Sequence, residues 1–160
     1  MTPSVVNVEL TSRCNANCWF CGRRKQEREH PELCHWGDAR WELIHLISHE
    51  IEPGTLVQLH WNGEPTLYPY LGQALGLFRH CIRQFDTNGK LIVAKAEEII
   101  DNLEVLTISV GQGEETEEQY EKVVEFLALK GDRKPRLCYR LLGRIEKADR
   151  WRELPGTVVT

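Results

Sequence analysis

The sequence predicts an α/β fold: a parallel sheet of six strands with helices packed outside it. Three observations carry this. Short strand-like runs recur along the chain, near 5–10, 56–61, 84–87, 105–110, 135–142 and 156–160, and all but 84–87 carry valine, isoleucine or leucine. Segments with apolar residues at helical spacing separate most of them. Glycine, proline and asparagine punctuate the joins. At 160 residues the chain fits one domain, expected to span 1–160.

Val5 to Leu10 reads as the first strand, and a cysteine-bearing loop follows it. Residues 22–35 are polar and without period, and read as an extended loop. Asp38 stands where it would cap a helix carrying Trp41, Ile44, Ile47 and Ile51 on one face. Pro53-Gly54 ends that helix. Leu56 to Trp61 is the second strand, and 62–69 is a loop. Leu71, Ala74, Leu75, Phe78 and Ile82 mark the next helix. Residues 84–87 form a short third strand closed by Asn88-Gly89, and 95–101 a short helix. Val105 to Val110 is the fourth strand, broken by Gly111-Gln112-Gly113.

Thr116 and Gln119 have the spacing of a capping box. The helix behind them is expected to bury Tyr120, Val123, Val124 and Leu127 and to stop at Gly131. The acidic run Glu114 to Glu121 suits the first turns of that helix, where carboxylates complement the dipole. Pro135 to Leu142 is the fifth strand, 146–153 a short helix and Gly156 to Thr160 the sixth strand. Six strands are too few for a closed eight-stranded barrel. In an open α/β sheet ligands belong at the carboxyl ends of the strands. That edge gathers the cysteine loop, the 62–65 loop, the Asn88-Gly89 turn and Ser109.

Hydrophobic residues make up 41% and charged residues 28%, a balance that suits a soluble globular domain. A net charge of -4 argues against a nucleic-acid-binding surface. The basic clusters Arg23-Arg24-Lys25 and Arg133-Lys134-Pro135-Arg136 read as solvated loops. No stretch is apolar enough to span a bilayer, and no basic-then-apolar leader opens the chain. The expected compartment is the reducing cytoplasm. Six cysteines in a secreted chain would suggest disulfides, but three lie within eight residues, which favours metal binding.

Those three, Cys14, Cys18 and Cys21, have the spacing C-x3-C-x2-C. Three local thiolates suit two centres. A structural zinc needs a fourth ligand, for which Cys34 or His35 stands nearby in sequence. A four-iron cluster would keep one iron open to a ligand that is not protein. The cysteines alone leave both open. His45 and His49 are spaced i, i+4, with no third ligand in view, and read as a solvated helix face. Cys81 and Cys138 stand alone and read as small buried hydrophobes.

The cysteine run, with Phe20 at its aromatic position, resembles the C-x3-C-x-aromatic-C signature of the radical S-adenosylmethionine (radical SAM) enzymes. Further segments follow in the family's order. Asn62-Gly63-Glu64-Pro65 looks like its G-G-E-P segment, with Asn in place of the first glycine. Thr87-Asn88-Gly89 looks like its T-N-G turn, and Thr107-Ile108-Ser109-Val110 like its fourth-strand segment. The resemblance covers roughly residues 5 to 130 and implies an open, six-stranded parallel partial (β/α)6 barrel. It implies a [4Fe–4S] cluster on Cys14, Cys18 and Cys21. The cluster would reductively cleave S-adenosylmethionine to methionine and a 5′-deoxyadenosyl radical that abstracts hydrogen from a substrate.

It also implies SAM contacts at Phe20, Asn62, Gly63, Glu64, Asn88 and Ser109. Gly63 would let backbone approach the ligand, and Trp19 would either join Phe20 as a wall or simply pack. A strand-five arginine holds the SAM carboxylate in some relatives; Arg140 is the candidate for that place, with Arg136 and Arg144 competing. The implied partners are an electron donor such as a flavodoxin or ferredoxin and a bulky substrate, for instance a peptide or protein. A homodimer mate or partner subunit would otherwise cover the open base. No clustered cysteines mark a C-terminal extension, so one cluster is expected. The alternative in another class is a non-catalytic zinc or iron–sulfur module serving assembly or electron transfer.

Overall fold

The computed structural model describes residues 4–113 and 116–160. Six strands form one open sheet in the order β1 to β6: Val5–Asn7, Leu56–Gln58, Ile82–Thr87, Val105–Gly111, Arg136–Leu142 and Thr157–Val159. Every neighbouring pair is parallel, so each strand lies beside its sequence neighbour. Among the described residues the helices are α1 Gly22–Glu29, α2 Trp41–Glu50, α3 Leu71–Leu77, α4 Ala96–Ile99, α5 Glu117–Lys130 and α6 Ala148–Arg152. No described helix is long and apolar enough to cross a membrane. The first two strands are shorter than expected, three residues each.

The two faces of the sheet differ sharply. On one, Leu10, Val57, Leu59, Phe85, Leu106, Ile108 and Tyr139 are fully buried, with Ile44, Leu75, Phe126 and Trp151 of the helices in the same core. Each such side chain contributes about 1.5–3 kcal/mol on burial. On the other face the intervening residues Gln58, His60, Gln84, Asp86, Ser109, Cys138 and Arg140 are only partly buried. Burial therefore alternates along β3 and β5 with the two-residue period of a strand. A parallel sheet normally has both faces covered. Here one face is left open and polar.

Residues 22–35 are not an extended loop. They form α1 and a 3-10 turn at Pro31–Leu33. α1 has almost no apolar residue, so hydrophobic periodicity cannot reveal it. Ion pairs one turn apart support it instead: Arg23–Glu27 at 3.3 Å, Arg24–Glu27 at 2.6 Å and Lys25–Glu29 at 3.9 Å. Asp38 does not cap α2, whose first-turn amides receive no side-chain cap. Its carboxylate accepts two hydrogen bonds from Arg13, at 2.9 and 3.0 Å, and its backbone bridges to Thr11. Ile82 opens β3 and is exposed, because α3 stops at Leu77.

The acidic run falls partly outside the described residues, at Glu114 and Glu115. Thr116 does cap α5, accepting from Gln119 N at 3.0 Å. Gln119 does not return the bond. Its amide donates to Asn88 O and Ser109 O instead. α5 buries Val123 and Phe126, while Val124 is exposed. Gly131 ends the helix at φ 55°.

Candidate functional site

A cavity of ≈520 Å³ opens at the carboxyl edge of the strands. Small-molecule sites occupy about 300–1,000 Å³. Cys14, Cys18, Cys21 and Phe20 line its mouth, Asn88 and Ser109 its wall, and His60, Asp86 and Arg140 its floor. All three cysteines are outside any disulfide and half-buried. Ala16 N donates to Cys14 Sγ at 3.4 Å, and Asn88 Nδ2 lies 4.0 Å from it. Cys21 is the residue from which α1 starts, its carbonyl accepting from Arg24 N and Lys25 N.

Arg24 reaches back across this loop. Its Nη2 donates to Ala16 O and its Nη1 to Glu27, both at 2.6 Å. The Glu27 hydrogen bond holds the Arg24 pKa above its ordinary value against partial desolvation, with Glu27, Cys14 and Cys21 adding to it. Phe20 is 40% exposed at the mouth and Trp19 stacks on it edge-on at 5.5 Å. Trp19 is not a cavity wall. It is 66% exposed and donates its indole N–H to Gln112 O at 2.9 Å.

The 62–65 loop brings Gly63 and Glu64 into the cavity lining. A Cβ on Gly63 would collide with the Thr11 carbonyl and stand 2.8 Å from the Arg13 oxygen. The missing side chain therefore lets the loop lie against the chain's own backbone, fixed by Glu64 N donating to Arg13 O at 2.8 Å. Asn62 is exposed and outside the cavity lining. Its amide N–H goes to Glu9 Oε1 at 2.7 Å.

Glu64 is 2% exposed and fully engaged. Its Oε1 accepts from Thr66 Oγ1 and Thr87 Oγ1, both at 2.7 Å, and from Thr66 N at 3.2 Å. Its Oε2 accepts from Asn88 N at 2.8 Å. Burial pushes this carboxyl above its usual range, and the four donors oppose that. Glu64 clasps the 62–67 loop to the Asn88 turn. Asn88 in turn donates to Asn15 Oδ1 at 2.8 Å, tying β3 to the cysteine loop, and its carbonyl accepts from Gln119 Nε2 at 2.8 Å.

The floor holds a cluster that motif reasoning passed over. Arg140 donates to Asp86 Oδ2. Asp86 N donates to His60 Nδ1 at 3.2 Å, and His60 Nε2 stands 3.6 Å from Asp86 Oδ1. Burial pushes His60 below its usual pKa, Arg140 adds to this, and Asp86 opposes it. A neutral ring with Nδ1 accepting agrees with the geometry. Of the three competing arginines only Arg140 lines the cavity. A polar residue recurring at every second position of Phe85-Asp86, Leu59-His60 and Tyr139-Arg140 was the available signal.

Neither Cys34 nor His35 lines the cavity, and Cys34 Sγ donates to His30 O at 3.4 Å. Among the described residues no three His, Cys, Asp or Glu side chains are grouped as a metal ion requires. The three sulfurs thus share a cavity mouth without converging. Soft thiols with no carboxylate among them nonetheless match the donor chemistry of an iron–sulfur centre. His45 and His49 stack at 4.6 Å on the exposed side of α2, as expected of a solvated face. Cys81 is buried and Cys138 half-buried.

No family model matches the chain. Over 129 residues, 78% of its length, it is 24% identical to "S-adenosyl-L-methionine-dependent 2-deoxy-scyllo-inosamine dehydrogenase" of Niallia circulans. It spans about half, 51%, of that curated relative. Among solved structures, BtrN in complex with AdoMet and 2-DOIA is 17% identical at a TM-score of 0.49, covering 99% of this chain and 56% of BtrN. Archaeal TYW1 is 27% identical over 57% of this chain and 34% of its own, at a TM-score of 0.41. Neither TM-score reaches 0.5. The order of the motifs, their gathering at one sheet edge and the similarity to an S-adenosyl-L-methionine-dependent enzyme support membership of the radical SAM superfamily.

Proposed function

We propose that residues 1–160 form the core of a radical SAM enzyme. One observation carries the reading: the three cysteines of a C-x3-C-x2-C loop share a ligand-sized cavity with Asn88, Ser109 and Arg140. Cys14, Cys18 and Cys21 would hold a [4Fe–4S] cluster, and SAM would fill the cavity beneath them. Bound there, the reduced cluster supplies the electron that splits SAM into methionine and a 5′-deoxyadenosyl radical, which takes a hydrogen atom from the substrate.

The chain's own residues do the holding. Phe20 shields the mouth on one side. Ser109 and the Asn88 turn present polar groups to SAM, and Arg140, oriented by Asp86, receives its carboxylate. Glu64 acts by fixing the Asn88 turn, since all four of its hydrogen bonds are internal. Gly63 acts by letting that loop seat. A flavodoxin or ferredoxin would supply the electron. The curated relative's name points to oxidation of an amino-substituted cyclitol, a smaller substrate than a peptide.

The test is anoxic purification, rebuilding of the cluster, and addition of dithionite and SAM, with 5′-deoxyadenosine read by mass spectrometry. Wild-type protein should form it and the triple variant C14A/C18A/C21A should not. Absence of product from protein with an intact, reducible cluster would overturn the reading and favour a non-catalytic metal module.

A further inference from the structure

The half-open face of the sheet continues below the cavity floor, and its next row is a line of carboxamides. Asn7, Gln58 and Gln84 stand in register on β1, β2 and β3. Neighbouring strands are about 4.8 Å apart, so the three side chains form one contiguous strip. Asn7 Nδ2 makes one long contact, 3.4 Å, to His60 O. Gln58 and Gln84 are half-buried, and neither makes a side-chain hydrogen bond among the described residues. Two adjacent glutamines thus keep four N–H donors and two carbonyl acceptors unspent on a concave face.

The row above adds a second observation. Asp86 is nine-tenths buried, yet its Oδ1 has no hydrogen-bond partner, and His60 Nε2 at 3.6 Å is too far to serve. An unpaired buried carboxylate oxygen is costly to leave that way. Thr107 and Cys138 continue this row across β4 and β5. Among the described residues these two rows hold no Phe, Tyr or Trp, and the one ring, the His60 imidazole, already accepts from Asp86 N at Nδ1. The Asp86 charge is matched by Arg140.

We propose that this strip is the substrate seat of the enzyme, and that it takes a small polyhydroxylated or amino-substituted molecule, read by Gln58 and Gln84 from below and by the Asp86 row above. Hydroxyl groups both donate and accept, as carboxamides do, so adjacent hydroxyls of one ring can engage both glutamines at once. An amino substituent can donate to the unpartnered Asp86 Oδ1. A site built from hydrogen-bonding groups rejects a ligand that leaves them unpaired, which sets the specificity for polar rings over apolar ones. The proposal rests on the radical SAM reading for what sits above the floor, but not for what the carboxamides bind.

The experiment is isothermal titration of the full, cluster-reconstituted chain under anoxic conditions, with and without SAM. The probes are myo-inositol, 2-deoxy-scyllo-inosamine and, as the peptide alternative, triglycine. At least one of the two cyclitols should bind. Gln58→Leu and Gln84→Leu should each weaken it tenfold or more, with SAM affinity kept within twofold. Where a leucine variant loses its circular-dichroism signal, the shorter amide of Gln58→Asn or Gln84→Asn replaces it. The proposal is overturned if neither cyclitol binds, if the variants bind like wild type, or if triglycine binds more tightly than both. Failure of wild-type protein to bind SAM sinks the cavity reading instead, and the titration without SAM still decides this one.

Discussion

Strand β3 carries two arginine–carboxylate pairs, one on each face of the sheet, and they are built to opposite ends. On the covered face Arg83 is 7% exposed and gives Nε and Nη2 to Glu104 at 2.9 and 2.8 Å and Nη1 to Leu75 O at 3.1 Å. Its backbone N–H goes to the same carboxylate. Every donor faces protein. On the open face Arg140 is 43% exposed and gives one nitrogen to Asp86, whose other oxygen has no partner. The first pair is closed on itself and belongs to the fold. The second keeps donors and an acceptor free beside a cavity, which is what a binding group requires.

Breaking the two pairs should separate these roles. Arg83→Met leaves Glu104 with Lys134 at 3.1 Å as its one charged partner, beside the backbone N–H of residue 83. Removing one partner of a buried pair costs about 3–5 kcal/mol, and the remaining lysine puts the expected loss near the lower end, about 3 kcal/mol in urea denaturation. Arg140→Met removes a half-exposed arginine, so it should cost less stability than Arg83→Met and instead weaken SAM binding tenfold or more. Equal stability losses in the two variants would erase the contrast.

Gly63→Ala comes next. The added methyl meets backbone, not a side chain that can swing aside. Overpacking of this kind costs about 1–3 kcal/mol. Because the 62–65 loop carries Glu64, the clasp of the Asn88 turn should loosen with it. The thermal midpoint should fall by several degrees and SAM affinity should fall too. Full SAM affinity with lowered stability would show that the loop supports the fold but not the site.

Acid offers a milder probe of the closed pair. Burial alone would raise Glu104, but hydrogen bonds from Arg83 and Lys134 and the Arg83 charge bring it from its ordinary 4.5 down to about 2. A carboxyl depressed by folding stabilises fully above its unfolded pKa. That contribution is therefore present above pH 4.5 and fades as pH falls toward 2, about 1–2 kcal/mol in all once screening is allowed for. Glu104→Gln should flatten this part of the stability–pH curve. An unchanged slope would place the acid sensitivity elsewhere.

The strand order was legible because at least one helix separates every pair of successive strands, and ligand placement at the carboxyl edge followed from it. The open face was written in the sequence as well. Val6-Asn7-Val8-Glu9-Leu10 and Leu137-Cys138-Tyr139-Arg140-Leu141 alternate apolar and polar, whereas a parallel strand covered on both sides reads as a continuous apolar run. Other features depended on partners far along the chain. That Glu64 spends itself on Thr87 and Asn88, and that Asp38 is taken by Arg13 before it can cap α2, are set by segments more than twenty residues away. α1 escaped notice because its support is charge pairing, not an apolar stripe. The cysteines gave the donor set from spacing alone, but not how they sit, since Arg24 and Asn88 position that loop from outside the motif.

Arg24 gives the smallest expected effect on stability and the most local one. Its salt bridge with Glu27 is partly solvated, so Arg24→Met should cost under about 1 kcal/mol. What it removes is the 2.6 Å tie to Ala16 O, midway between Cys14 and Cys18. Without that tie the cysteine loop should open more often, and thiol modification by a colorimetric disulfide reagent should speed up several-fold at Cys14, Cys18 and Cys21. Cys81, buried under the covered face, should show no change. A uniform rise at all four thiols would mean global loosening. No rise at any would show that the Asn88–Asn15 contact holds the loop unaided, placing the control of the cluster site on the β3 turn and not on α1.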